Sequence, residues 1–266
     1  MLDQHVLSEC SQIIREAGKI ILSAHDVRSH TSDIEAKAGT ANFVTVYDKK
    51  VQSFLLERFH ALLPEAKFMA EEKENRPEDL QNGLCFIIDP IDGTTNFIHR
   101  YECSTISVAL LENGQPAMAA ILNPYTGDLF TAQAGKGAFR NEKPIHVTDA
   151  PLSEGLVLFG TSPYYKSTRA DKTFDLAKTV FLACSDLRRN GSAAWDLCSV
   201  ACGKVEAFFE AFLSPWDYAA GWLIVREAGG VVTQFDGSPV SFDKGCPVVA
   251  SNRAAADDLL ALTRSF

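Results

Sequence analysis

The segment that most constrains the fold is residues 84–97, which read LCFIIDPIDGTTNF. An apolar, strand-forming run leads directly into Asp89 and Asp92, and no basic residue lies within the segment to neutralise them. A carboxylate at the end of a buried strand is costly unless an opposite charge offsets it. The two acids therefore indicate a bound cation, and hard cations such as magnesium take oxygen ligands.

The residues that follow the two acids suit an anion. Gly93, Thr94 and Thr95 are small or hydroxylated, and such residues at the start of a helix leave backbone N–H groups facing outward. The alternative is a purely structural turn, because Asp-Pro and Asp-Gly are common turn dipeptides. Turn chemistry explains Gly93 and Thr94 but not the pairing of Asp89 with Asp92.

Composition limits the class of protein. With 266 residues, of which 46% are hydrophobic, the chain can bury a large core. The formal net charge of -9 argues against a nucleic-acid partner, since phosphate backbones are bound by clustered Lys and Arg. Seven scattered cysteines without C-x-x-C spacing indicate reduced thiols. No apolar run approaches the roughly 18 residues needed to span a bilayer, so we expect a cytoplasmic protein without a membrane partner.

Hydrophobic periodicity changes along the chain. Residues 1–144 predict two helices, a polar loop over residues 23–41, a short strand at 67–70 and an antiparallel meander over 104–134. From residue 145 to 266, strands and helices alternate. We therefore expect a single domain of residues 1–266, with an α+β first half and an α/β second half packed as layers.

A second acidic motif lies far along the chain. Residues 214–221 read SPWDYAAG and place Asp217 at a helix N-terminus, where capping alone would favour it. Together with the DPIDGTT motif of residues 89–95 and with Glu71-Glu72, this motif resembles the inositol monophosphatase family of metal-dependent, lithium-sensitive phosphatases. The match extends from about residue 37 to residue 230. It implies the layered αβαβα fold of the sugar phosphatases, which fructose-1,6-bisphosphatase shares.

The resemblance implies a set of metal ligands. Glu71, Asp89 and the main-chain carbonyl of Ile91 would hold a first Mg²⁺, and Asp89, Asp92 and Asp217 would hold a second. Glu71 would also face a third, weaker site through water. We therefore expect two or three Mg²⁺ ions in each active site.

The resemblance also assigns catalytic and phosphate-binding roles. Glu71, Thr94 and Asp48 would be the catalytic residues, with Thr94 and Asp48 assisting the attacking water, and the backbone of Gly93 and Thr94 would hold the phosphate. Hydrolysis of a phosphate monoester is extremely slow in water. Two metals about 4 Å apart can stabilise the attacking and leaving oxygens, so no Ser, Cys or His nucleophile is required.

The expected substrate is a small phosphate ester. By resemblance, six residues would contact it: Asp92, Gly191, Ser192, Ala193, Glu210 and Asp217. The loop of residues 190–193 and an acid at position 210 resemble the branch that hydrolyses inositol phosphates. Fructose bisphosphate, histidinol phosphate and 3′-phosphonucleotides remain as alternatives within the family, and relatives are commonly homodimers.

Two positions of the polar loop bear on the resemblance. Asn42 stands where some relatives carry an acid, which puts the affinity of the third metal site in question. Lys37 matches a loop lysine of the family, although a single lysine in a polar loop is more often simply solvated.

Three other protein classes compete with this interpretation. Haloacid-dehalogenase-type phosphatases space their acids D-x-D, whereas here the spacing is D-x-x-D with Pro90 between the acids. A calcium-binding module would need a ladder of alternating acids that the segment lacks. A non-catalytic partner protein on the same fold is the third alternative, because a fold does not fix a function. Retention of every acidic ligand argues against it.

Overall fold

The computed structural model describes residues 4–24, 27, 34–36 and 43–266. In these ranges the α-helices are α1 (Gln4–Leu22), α2 (Val46–Leu62), α3 (Thr94–Ile98), α4 (Lys166–Phe181), α5 (Ala193–Ala201), α6 (Pro215–Glu227) and α7 (Ala256–Thr263). The strands are β1 (Ile34–Ala36), β2 (Phe43–Thr45), β3 (Lys67–Ala70), β4 (Leu84–Asp92), β5 (Thr105–Glu112), β6 (Gln115–Asn123), β7 (Asp128–Gln133), β8 (Ala138–Arg140), β9 (Lys143–Ile145), β10 (Leu156–Phe159), β11 (Asp186–Arg188), β12 (Ala207–Leu213), β13 (Val231–Thr233) and β14 (Cys246–Ser251).

The first sheet has seven strands in the order β3-β4-β5-β6-β7-β8-β9. Strands β3 and β4 are parallel, and every later neighbour pairs antiparallel. The predicted meander over residues 104–134 is confirmed as β5, β6 and β7, with the turn at Asn113 and Gly114 in the positive-φ conformation that Asn-Gly favours. Two further short strands extend it to residue 145.

The second sheet has five strands in the order β11-β10-β12-β14-β13. Strand β10 is parallel to both β11 and β12, while β14 is antiparallel to β12 and β13. The predicted alternation of strands and helices after residue 145 is therefore confirmed, with a mixed rather than a parallel sheet. Helices α5 and α6 from the later part of the chain pack against the first sheet. The division of the chain at residue 144 stays a prediction.

Hydrophobic packing confirms the layered αβαβα fold. Alternate residues of β4 enter different cores, as the period of two in a strand requires: Phe86 packs with α1 and α2, while Ile87 packs with α5 and α6. Helices α5 and α6 thus lie between the two sheets. On the far face of the second sheet, Leu176 of α4 and Leu259 of α7 form a third core.

Pairing of β3 with β4 brings acidic residues to one edge of the sheet. The register places Ala70 opposite Ile88, and the N–H of Glu71 continues the pairing by donating to the carbonyl of Ile88 at 3.2 Å. Glu71 therefore lies beside Asp89. Two neighbouring strands thus place acids at one edge of the sheet.

The described part of the polar stretch of residues 23–41 includes a strand that the pattern missed. Residues Ile34–Ala36 pair antiparallel with Phe43–Thr45 as a two-stranded sheet. Most of the expected loop, together with Lys37 and Asn42, lies outside the described residues. Within the described ranges, none of the helices combines the length and apolar character needed to cross a membrane.

Candidate active site

Three aspartates form the centre of the site. One carboxylate oxygen each from Asp89, Asp92 and Asp217 lies within 4.8 Å of the other two. Asp89 and Asp92 come from the end of β4, and Asp217 comes from the first turn of α6. The structure therefore brings together residues separated by more than a hundred positions in sequence, as the motifs predict.

Local hydrogen bonds orient two of these acids. The N–H of Ile91 donates to Oδ1 of Asp89 at 3.0 Å, and the N–H of Ser214 donates to Oδ2 of Asp217 at 2.7 Å. Among the described residues, no group donates to the second oxygen of either carboxylate. Each acid is thus fixed through one oxygen and offers the other to a ligand.

Asp92 is held by the N-terminus of α5. Its Oδ2 accepts hydrogen bonds from the Oγ of Ser192 at 2.6 Å and from the N–H of Ala194 at 2.7 Å. Its Oδ1 is 3.3 Å from the N–H of Ala193, a longer contact. A negative charge is favourable where the first N–H groups of a helix point outward. Asp92 therefore links the acidic cluster to the loop of residues 190–193.

The electrostatics of the cluster suit a hard cation. Burial raises the pKa of Asp89 and Asp217 well above the usual value, and the neighbouring acids raise it further. Burial also raises the pKa of Asp92, against the hydrogen bonds from Ser192 and Ala194. In the described part of the chain, no lysine or arginine forms an ion pair with these three acids. Oxygen donors with unbalanced negative charge are the ligands that Mg²⁺ prefers.

The two other predicted ligands lie beside the cluster. Glu71 lines the cleft next to Asp92 and Asp217, and its charge contributes to the raised pKa of Asp89. The turn after Glu71 is held from α2, where the Oε1 of Gln52 accepts the N–H of Glu72 at 2.9 Å. The carbonyl oxygen of Ile91 lies 3.1 Å from the Oγ1 of Thr94. Whether these groups bind metal stays a prediction.

Asp48 and Thr94 meet as the motifs predict. The Oγ1 of Thr94 donates to Oδ1 of Asp48 at 3.2 Å, while Thr45 donates to Oδ2 through its N–H at 2.7 Å and its hydroxyl at 2.6 Å. Asp48 is the third residue of α2, so it also completes a capping box with Thr45. Burial raises the pKa of Asp48 to about 7, although the hydrogen bonds from Thr45 lower it.

Gly93 is required at the turn between β4 and α3. Its φ is +90°, a left-handed conformation that side chains rarely adopt. A Cβ at this position would also lie 3.0 Å from the carbonyl of Gly191 and 3.1 Å from that of Cys103. The turn therefore packs directly against the loop of residues 190–193.

A cleft of about 690 Å³ adjoins the cluster. Its wall combines the acids Glu71, Asp92, Glu210 and Asp217 with Thr94 and Tyr164. Of the predicted substrate residues, Gly191 and Ala193 also line the cleft, whereas Ser192 is buried against Asp92.

Glu210 is held at the far side of the cleft. The N–H of Ser162 donates to its Oε1 at 2.7 Å, and the Ser162 hydroxyl is 3.2 Å from the same oxygen. Burial raises the pKa of Glu210 to about 7. Gly160 accommodates the carboxylate, since a Cβ at that position would collide with it. A carboxylate oxygen so placed can accept a hydrogen bond from a ligand.

Sequence reasoning missed several polar residues of the cleft. Asn96, Arg189 and Asp196 all line it. For Asp196 a signal was present, because it falls four residues after Ser192 and so lies on the same side of α5. Asn96 carried no such signal.

Comparison with known proteins gives a consistent result. A model of the inositol monophosphatase family matches residues 3–265. An inositol-1-monophosphatase from Synechocystis is 36% identical over 220 residues, covering 82% of this chain and 76% of the relative. The Nus factor SuhB of Escherichia coli is 36% identical over 255 residues, covering 94% of this chain and 92% of the relative. The crystal structure of the extragenic suppressor protein suhB from Bartonella henselae has a TM-score of 0.88 and 31% identity, covering 98% of this chain and 99% of that one.

Proposed function

Because the chain belongs to the inositol monophosphatase family, we propose that it is a Mg²⁺-dependent phosphomonoesterase. It hydrolyses inositol monophosphate, or a similar small polyol phosphate, to the alcohol and inorganic phosphate. The observation that carries this proposal is the convergence of Asp89, Asp92 and Asp217 within 4.8 Å beside an open cleft. Neither helix capping nor turn chemistry requires three acids to converge.

The residues present fit the expected metals. Glu71, Asp89 and the carbonyl of Ile91 would hold one Mg²⁺, and Asp89, Asp92 and Asp217 would hold another. Ions in these positions would supply Lewis-acid stabilisation of the phosphate and of the attacking and leaving oxygens. The third site depends in part on position 42, which lies outside the described residues.

The chain's own groups handle the proton and the phosphate. Hydrolysis forms a bond from the water oxygen to phosphorus and breaks the bond from phosphorus to the alcohol oxygen. The Thr94 hydroxyl, which donates to Asp48, can accept a proton from that water and pass its own to the carboxylate. The departing alkoxide takes a proton from solvent. Backbone N–H groups at Gly93 and Thr94 bind the phosphate oxygens.

The alcohol side of the cleft is the part lined by Gly191, Ala193 and Glu210, which would receive the alcohol portion of the substrate. It favours a ligand with hydrogen-bond donors. Glu210 offers carboxylate oxygens, and the neighbouring Gly191 and Ala193 leave room for a ring. A polyol presents several hydroxyl donors to such acceptors. Fructose bisphosphate, histidinol phosphate and a 3′-phosphonucleotide are the alternative substrates within the family.

The names of relatives favour a second candidate function. Several relatives carry the name Nus factor SuhB, which supports a role as a partner protein in addition to catalysis or in its place. We also propose a homodimer located in the cytoplasm. Three exposed apolar side chains near the C-terminal half of α4, Phe174, Phe181 and Leu182, support a contact between copies.

Phosphate release separates the two candidates. Purified protein is assayed with Mg²⁺ against inositol 1-phosphate, fructose 1,6-bisphosphate, histidinol phosphate and 3′-phosphoadenosine, with an EDTA-treated sample and Asp92→Asn as controls. We expect release that depends on Mg²⁺, that is greatest for inositol 1-phosphate, and that is lost in the variant. If the untreated protein and Asp92→Asn are equally inactive on every substrate, the enzyme proposal fails and the partner role is favoured.

Glu210→Gln is expected to impair hydrolysis of inositol 1-phosphate selectively. Loss of one charged hydrogen bond to a ring hydroxyl should lower kcat/KM by about 10-fold or more, because such bonds contribute roughly 1.5–3 kcal/mol. The effect on 4-nitrophenyl phosphate, which has no hydroxyl to bind, should be small.

Glu206→Gln is the matched control for that variant. Glu206 is a buried glutamate four residues earlier, and it accepts the N–H of Leu156 at 2.6 Å. It does not line the cleft, so its substitution should alter stability but not the ratio of the two activities. If Glu210→Gln lowered kcat/KM equally for both substrates, Glu210 would not be the residue that recognises the ring hydroxyls.

A further inference from the structure

The side chain of Asn96 joins two loops of the site. Asn96 belongs to α3, two residues after Thr94, and is almost fully buried. Its Nδ2 donates to the carbonyl of Cys103 at 2.7 Å and to the carbonyl of Asn190 at 2.8 Å. Both protons of one amide nitrogen are therefore used, and the second bond spans 94 positions of sequence.

Asn190 is held at its other end by Asp196. Its Nδ2 donates to Oδ1 of Asp196 at 2.7 Å. Asp196 lies on α5 and is 1% exposed, and its own N–H donates to the carbonyl of Ser192 at 3.0 Å. Asn190 is thus bound through its backbone carbonyl on one side and through its side chain on the other.

The two loops touch where Asn96 joins them. A Cβ atom added at Gly93 would lie 3.0 Å from the carbonyl oxygen of Gly191 and 3.3 Å from the Cβ of Ser192. A Cβ atom added at Gly191 would lie 3.4 Å from the Nδ2 of Asn96. The phosphate side and the alcohol side of the cleft are therefore in van der Waals contact, so a shift of one loop moves the other.

We propose that Asn96 and Asp196 are positioning residues that hold Asn190 at both ends and thereby fix the loop of residues 190–193 against the phosphate-binding turn. The proposal rests on the proposed function for its effect on substrate. The loop carries Gly191 and Ala193 along the alcohol side, and it supplies Ser192 to Asp92. Asn96 and Asp196 thus set where the alcohol lies relative to the phosphate.

Single substitutions should weaken binding of the alcohol. Asn96→Ala and Asp196→Ala are each expected to raise KM for inositol 1-phosphate by about 10-fold, since each removes a buried hydrogen-bond partner and leaves the other group unsatisfied. The change in kcat should be smaller. KM for 4-nitrophenyl phosphate should change little, because that ester makes no hydroxyl contact with the loop.

A double-mutant cycle tests whether the two residues act together. Because both act through Asn190, the double variant Asn96→Ala/Asp196→Ala should raise KM by about the same factor as one single variant, far below the product of the two. Asn190→Ala, which removes only the side-chain bond, should reproduce Asp196→Ala. Asp196→Asn should restore KM, since an amide oxygen still accepts the bond from Asn190.

Amide hydrogen exchange provides a readout that needs no substrate. In the free protein, exchange over residues 191–194 should become faster in Asn96→Ala and Asp196→Ala, because local opening no longer breaks those bonds. Asn123→Ala is the matched control: Asn123 is buried, its Oδ1 accepts the N–H of Tyr125 at 2.9 Å, and it is the last residue of β6. It should lower stability without faster exchange at residues 191–194.

The outcomes separate this inference from the proposed function. Unchanged exchange at residues 191–194, or fully multiplicative effects on KM, would overturn the positioning role even if the protein is an active phosphatase. Faster exchange in a protein that hydrolyses none of the substrates would support the positioning role and reject the enzyme.

Discussion

Asp89→Asn is expected to abolish turnover while raising the melting temperature of the metal-free protein. Asp89 lies at the centre of the acidic cluster and is the ligand shared between both proposed metals, so kcat/KM should fall by at least about 10³-fold. The same carboxylate is 1% exposed, and four acids act on it: Glu71, Asp92, Asp217 and Asp48. Without a cation, its charge destabilises the fold.

The pH dependence follows from the direction of the pKa shift. Burial, and then the charges of Glu71 and Asp92, raise the pKa of Asp89 above its unfolded value, so the folded state binds the proton more tightly. That contribution to stability is complete below the unfolded pKa and is lost as the pH rises through the folded pKa. The melting temperature of Asp89→Asn should therefore match that of the wild type near pH 4 and exceed it at pH 8.

Calorimetry with and without Mg²⁺ provides the measurement. A ligand that binds only the folded state raises its melting temperature, so Mg²⁺ should stabilise the wild type and have little effect on Asp89→Asn. Asp171→Asn, at an exposed aspartate of α4, is the control and should change neither quantity. A variant that keeps its turnover, or that melts earlier than the wild type at pH 8 in EDTA, would contradict the shared-ligand role of Asp89.

The residues that were predictable from sequence are those whose position follows from one local element. Strand β4 could be read from its apolar run, and the pairing of β3 with β4 then places Glu71 beside Asp89. Asp217 could be placed because a capping acid lies at a known point of a helix. In each case a rule for one strand or one helix end predicts the backbone position, and the motif indicates which other acids lie nearby.

The residues that sequence reasoning missed depend on contacts between distant loops. Asn96 and Asn190 meet only because the two loops pack at Gly93 and Gly191, and neither the segment of residues 84–97 nor the loop of residues 190–193 indicates that contact by itself. The strand Ile34–Ala36 was missed for a related reason: three residues in a polar stretch are too few for alternation to be visible. Tertiary pairing determines both.

One carboxylate shows how the two sources of information differ. The family resemblance predicts that Asp92 is a metal ligand and a substrate contact. In the structure it also accepts hydrogen bonds at the N-terminus of α5, from Ser192 and Ala194. The acidic residue predicted to contribute to a cation site therefore also holds the loop that would receive the alcohol. We therefore expect metal affinity and substrate position to be coupled through Asp92, which the motifs alone do not indicate.

Asp48→Asn is expected to lower kcat by about 10²-fold or more, the usual range for removal of a general base. Asp48 accepts the Thr94 hydroxyl at 3.2 Å, and burial raises its pKa to about 7. The base must be ionised to take a proton, so kcat in the wild type should rise with pH through about 7. An asparagine keeps the acceptor for Thr45 but has no proton to exchange, so this limb of the profile should disappear.

Thr45→Ala separates the base from its role in capping α2. The Thr45 hydroxyl donates a 2.6 Å hydrogen bond to Asp48, and this bond lowers the pKa of the Asp48 carboxyl. The substitution removes that bond and so raises the pKa, but it leaves the bond from Thr94 in place. Stability should fall by about 1 kcal/mol, as for loss of an N-cap. The rise of kcat with pH should persist but occur at higher pH than in the wild type, and kcat should recover once the pH is above that rise. If instead Asp48→Asn retained the limb, or Thr45→Ala moved it to lower pH, the proton acceptor would have to be another group, because only ionisation of Asp48 responds to both substitutions with these signs.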